Sequence, residues 1–167
     1  MKPLEDQMAL YAAYHQDARN KATHFVGVPV IVLSLYIPLA WLRVDLGGWT
    51  VTAAMVLGAI VVAYYLVLDV PLGLAMAVLF AALAWIGQSI ADRGALAGWG
   101  WFAVLFVGGW ILQLVGHVFE GRKPALADNL FQIFVAPIFL AEEVFFALGY
   151  KPKLHSAVQE RALRRAS

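Results

Sequence analysis

Three of the four histidines stand in two short blocks, and both blocks sit where long apolar stretches end. The first reads Tyr14-His15-x4-Asn20-x3-His24. The second, roughly ninety residues later, reads Gln113-x2-Gly116-His117-x2-Glu120. Imidazoles and carboxylates at the edge of a bilayer are costly to keep unless they perform chemistry. The chain has no cysteine, so a metal ion in such a site would be held by nitrogen and oxygen alone. That donor set suits iron, manganese or zinc.

Spacing constrains how these side chains can meet. His117 and Glu120 are at i, i+3 and share a helix face, with Gln113 one turn earlier on that face. His15 and His24 are nine residues apart, which on one unbroken helix sets them about 180° apart. They converge only if the chain turns between them. Asn20 suits the N-cap of a first membrane helix, with His24 in its opening turns and His15 on a preceding amphipathic helix. Blander readings stay open beside these. His15 can be a surface histidine and His24 an interfacial one, and Glu120 can simply pair with Arg122 or Lys123 at a helix end. Asp69, followed by Pro71, reads as a helix C-terminus leading into the next N-cap. His155 reads as solvent-exposed, and Gly108-Gly109 as a helix-packing position.

The elements that must carry these residues are membrane-crossing helices. Of 167 residues, 62% are hydrophobic and 14% charged, too apolar for a soluble domain. Phe25–Leu42, Trp49–Leu68, Val70–Ala91 and Gly94–Gly116 contain no Lys, Arg, Asp or Glu. Each is close to the ~20 residues that span a bilayer as a helix. The runs are continuous rather than alternating, which excludes a barrel. A soluble protein burying four such helices would need a far larger chain around them. Met1–Lys21 is polar and mixed in charge, unlike a cleavable signal. A net charge of +1 argues against nucleic acid as a partner. No phosphate loop, nucleophile elbow or HExxH is present, so nucleotide hydrolysis, serine esterase and zincin chemistry lack their parts.

The predicted fold is an all-α membrane domain over residues 1–167. It has spans near 25–42, 49–68, 70–91 and 94–119, an N-terminal amphipathic helix, and a re-entrant or interfacial helical hairpin over 126–150, broken near Pro137. Placing the N-terminus in the cytoplasm and crossing four times puts ten Lys/Arg on the cytoplasmic side against Arg43 and Arg93 on the other. Both termini are then cytoplasmic. His15, His24, His117, Glu120, Asp69, Glu142 and Glu143 all fall toward that face. A transporter fits poorly, because its ionisable groups belong near mid-membrane in paired repeats and no repeat is present.

The two blocks, with Gly27-x-Pro29, the stretch QLVGHVFEGRKPALADNL, Ala136-Pro137-x-Phe139-x2-Glu142 and Leu148-Gly149, resemble the Mpo1-like family of membrane proteins. The resemblance covers nearly the whole chain. It implies an Fe(II)-dependent dioxygenase of 2-hydroxy fatty acids, acting by an α-oxidation that consumes O2 and removes the carboxyl carbon. Carried across, it makes His15, His24 and His117 the metal ligands. Glu120 is either a fourth ligand or a partner fixing an imidazole tautomer. Asn20, Gln113 and Asp69 are supporting candidates, and Arg122 and Lys123 would hold the substrate carboxylate. Gln16-Asp17-Ala18-Arg19 carries no second histidine, so any further ligand that relatives hold there is absent. The Ala/Gly/Leu/Trp-rich composition suits a bacterial inner membrane, with the ER membrane expected if the source is eukaryotic. The competing expectation is a non-catalytic lipid-binding or assembly protein whose histidines are structural.

Overall fold

The computed structural model describes residues 4–124 and 131–166. Among them, helices α1 (Leu4–Ala12) and α2 (Ala18–Trp41) lead into a hairpin of β1 (Arg43–Leu46) and β2 (Trp49–Thr52). Five helices follow: α3 (Ala53–Leu68), α4 (Val70–Ala91), α5 (Ala95–Glu120), α6 (Gln132–Ala147) and α7 (Pro152–Ala166). The chain forms two compact units, residues 26–111 and residues 1–25 with 112–167.

Three helices, α2, α4 and α5, are long and apolar enough to cross a membrane. Their 24, 22 and 26 residues correspond to about 36, 33 and 39 Å of helix against a hydrocarbon core of ~30 Å. Apolar α3, with 16 residues, reaches only about 24 Å. In the unit of residues 26–111, large apolar side chains such as Ile60, Val67, Val78 and Trp85 face outward, as lipid-facing residues do. Inward, α3 and α4 pack on each other around buried Tyr65, Leu72 and Met76. Gly109 serves close packing as expected, since a Cβ there would meet Ile31 Cγ1 at 2.6 Å, whereas Gly108 faces open space. Asp69 ends α3 and caps α4, its carboxylate accepting the Leu72 N–H at 3.2 Å.

The other unit is built around α1, which packs against α7 and α6. Met8, Ala9 and Ala12 are buried, as are Val158 and Ala162 of α7. Arg161 joins the two helices by ion pairs to Glu5 at 2.9 Å and Asp6 at 2.6 Å.

Several expectations require correction. Helix α2 begins at Ala18, so Asn20, expected as its N-cap, lies inside the helix, which extends beyond the apolar run into a charged first turn. Trp49–Thr52, assigned to the second span, is a strand. Helix α6 runs unbroken through Pro137, so the break expected there is absent. The segment Val135–Leu140 is buried throughout, and this packing holds the helix despite the hydrogen bond that proline forfeits. The expected C-terminal hairpin is instead α6 followed by α7, with α7 docked on α1; positions 126–130 of the predicted segment lie outside the described residues. His155 stacks on Phe146 with ring centroids 4.5 Å apart and is only partly exposed.

Val158→Asp places a carboxylate where only 1% of the residue is exposed, a burial that costs several kcal/mol without a partner. The expected result is that α7 and α1 lose hydrogen-exchange protection together while α3 and α4 keep theirs.

Candidate metal centre

His15 lies in the connection between α1 and α2, three residues past the end of α1 rather than on it. Asp17 caps α2, its carboxylate accepting the Arg19 N–H at 2.8 Å; Asn20, expected at that cap, sits inside the first turn. The turn between the helices redirects the chain, and the two histidines meet as the nine-residue spacing requires.

His15, His24 and His117 are buried, 1%, 2% and 6% exposed. One nitrogen from each lies within 4.8 Å of the others, and the ring centroids are 4.4, 5.0 and 5.1 Å apart. His15 Nδ1 is 2.8 Å from the Tyr11 carbonyl, and His24 Nδ1 is 2.9 Å from the Asn20 carbonyl. A carbonyl oxygen only accepts, so both Nδ1 atoms carry the proton and both Nε2 atoms present lone pairs. Those two Nε2 atoms face each other at 3.1 Å. Metal–nitrogen bonds of ~2.1 Å set ligand atoms about 3.0 Å apart at a right angle and about 3.4 Å at the tetrahedral angle. His117 Nδ1 is buried without a hydrogen-bond partner. Two opposed lone pairs and an unpartnered imidazole nitrogen fit a divalent cation, and the three histidines form a site that could hold one.

The environment keeps His15 neutral. Burial first, and then the neighbouring His24, lower its pKa from 6.5 to about 2, so its lone pair is available throughout the physiological range. Tyr11 stacks on its face with centroids 4.1 Å apart and planes 1° from parallel. Phe139 of α6 touches Tyr11 at 4.6 Å and lies 6.0 Å from His15. Neither aromatic was singled out as a site residue, though Tyr11 is one helical turn before His15, the spacing that brings a carbonyl to an imidazole.

Glu120 turns its carboxylate to the connection that carries His15. It accepts the Gln16 N–H at 2.8 Å, the Asp17 N–H at 2.9 Å and the Asn20 amide at 2.9 Å. Asn20 is fully buried and also donates to the Tyr14 carbonyl at 3.2 Å. Gln113 is buried, and its Nε2 has no acceptor. Helix α5 ends at Gly121, whose φ of +67° favours glycine, and Arg122 N–H returns to the His117 carbonyl at 3.4 Å. The Arg122 guanidinium donates to the Ala13 carbonyl at 3.3 Å; Arg122 and Lys123 are exposed. Asp69 serves as a helix cap in the other unit.

The fold and the site define a mostly helical membrane protein with a buried three-histidine centre. The profile of the family described as 2-hydroxy-palmitic acid dioxygenase Mpo1-like matches residues 1–148. The chain is 34% identical over 158 residues to the 2-hydroxy-palmitic acid dioxygenase MPO1 of Saccharomyces cerevisiae, covering 93% of this chain and 87% of the yeast protein. It belongs to the Mpo1-like family. No solved structure matches it.

Two predictions follow from this geometry. A Cβ at Gly116 would collide with Thr23 Oγ1 and approach Asn20 Oδ1 to 2.5 Å, so Gly116→Ala should cost about 1–3 kcal/mol and lower metal affinity, read by thermal unfolding and metal titration. The second concerns acid. His15 has a depressed pKa when folded, whereas in the unfolded chain it titrates near ~6.5, so its stabilising contribution is present above that pH and is lost as pH falls below it. The thermal midpoint of metal-free protein should therefore decline on acidification below about 6.5, less steeply in His15→Gln.

Proposed function

We propose that this chain is an Fe(II)-dependent dioxygenase of 2-hydroxy fatty acids. The reaction is an oxidative decarboxylation that consumes O2, removes the carboxyl carbon and shortens the acyl chain by one. The observation that carries this reading is the buried convergence of His15, His24 and His117, in a chain one-third identical to a 2-hydroxy-palmitic acid dioxygenase. A bound Fe2+ would supply O2 activation and chelation of a 2-hydroxy carboxylate, chemistry available to iron with nitrogen ligands and open positions.

The roles of the protein's own groups are part of the proposal. His15, His24 and His117 are the ligands, and the Tyr11 and Asn20 carbonyls hold the first two in the tautomer that a metal needs. Glu120 acts as a brace, supported by its three hydrogen bonds to Gln16, Asp17 and Asn20. Gln113 offers its unpartnered amide N–H to an oxygen within the site. Arg122 and Lys123 draw the acid in at headgroup level. The proposed topology keeps four spans, α3 being the shortest, with both termini cytoplasmic. The Lys/Arg asymmetry supports that orientation.

The test is metal and product analysis of purified protein. The expected result is about one iron per chain, lost in His117→Ala, and conversion of 2-hydroxypalmitate to the acid one carbon shorter. Protein that stays metal-free after anaerobic reconstitution with Fe(II) would contradict the enzyme reading and favour a structural histidine cluster.

A further inference from the structure

Lys21 forms an ion pair with Glu143, Nζ to Oε2 at 2.8 Å, with side chains 22% and 18% exposed. On α2 this pair is one helical turn from a histidine of the metal centre, and on α6 it is one turn from an aromatic ring near that centre. Lys21 precedes His24 by three residues on α2, and Glu143 follows by four residues Phe139 of α6, whose ring lies near His15. The histidines are almost fully buried, while the pair is partly open to solvent.

The other cations around the two histidine blocks are committed or peripheral. Arg19 is bound to Asp17 at 2.8 Å and 66% exposed, and it lies over the Phe119 ring at 4.7 Å. Arg122 is bound to a backbone carbonyl and exposed. Lys21 differs in already holding a carboxylate beside the site, so its surroundings accept that charge in that place.

We propose that Lys21 is the receptor for the substrate carboxylate, and that Glu143 occupies it as a built-in carboxylate until the acid displaces it. This rests on the fatty acid reading above. Exchange leaves the Lys21 ammonium paired, so no buried charge is stranded. The released Glu143 is exposed enough to be hydrated. A partly exposed ion pair contributes little net stability, so Glu143 is a weak competitor, as a resident group in a binding site must be.

A competitor and a receptor give effects of opposite sign. The probes are palmitate and hexadecanol, titrated against full-length protein in detergent micelles. Palmitate lacks the 2-hydroxyl and hexadecanol lacks the carboxylate. Lys21→Gln should weaken palmitate by about tenfold and Lys21→Arg should restore most of the affinity, while Glu143→Gln should tighten it several-fold. Hexadecanol binding should not respond to any of the three. If Lys21→Gln does not fold, Glu143→Gln alone decides. Tightening supports the exchange, and unchanged or weaker palmitate binding overturns it, as does any pattern in which both probes move together. The chemistry can fail separately, because opposite shifts for palmitate in a protein that leaves 2-hydroxypalmitate unconverted would keep this receptor and discard the dioxygenase.

Discussion

One carboxylate, Glu120, governs how the three histidines meet. It closes α5 one turn beyond His117 and takes up the N–H groups of Gln16 and Asp17 together with the Asn20 amide. Gln16 and Asp17 belong to the turn that separates α1 from α2, and Asn20 to the first turn of α2. Without that turn, His15 and His24 would point in opposite directions from one helix. Hydrogen bonds to a charged group contribute about 1.5–3 kcal/mol each, so three of them are a strong local constraint. The constraint links His117 to the segment that carries His15 and opens the helix that carries His24.

The rest of this unit maintains what Glu120 arranges. His15 has no helix of its own to hold it, and it is fixed by Tyr11 at its face and at its Nδ1, with Phe139 against Tyr11. Helix α1, which supplies Tyr11, is itself held by the buried Val158 and Ala162 of α7 and by Arg161. Gly116 admits Asn20 and Thr23 to a distance no other residue permits. Packing thus becomes chemistry in one step, because the carbonyls that fold the backbone also choose the imidazole tautomers.

Much of this was legible in the sequence, and the rest had physical reasons for being hidden. Helix α4 coincides with the apolar run Val70–Ala91, since both its ends are marked by aspartates. Helix α2 starts earlier than its apolar run because such runs measure hydrocarbon thickness, and helix continues wherever charged residues face water. The hairpin of β1 and β2 carries a signal in Gly47-Gly48, whose φ angles of +57° and +97° suit a tight turn. The apolar residues from Trp49 onward obscured it. The backbone penalty of Pro137 favours a break, while the burial of Val135–Leu140 decides the outcome. Spacing alone required a break between His15 and His24, but only the fold shows that Glu120 stabilises it. The Lys21–Glu143 pair joins residues 122 apart in sequence, beyond the reach of any local pattern.

The most direct measurement of the central claim is X-ray absorption at the metal edge of iron-loaded protein. The account predicts nitrogen and oxygen neighbours at about 2.1 Å with the outer-shell scattering of three imidazoles, reduced by one when any of the three histidines is replaced. A spectrum without imidazole scattering, or one unchanged by replacing His15, His24 or His117, would contradict it.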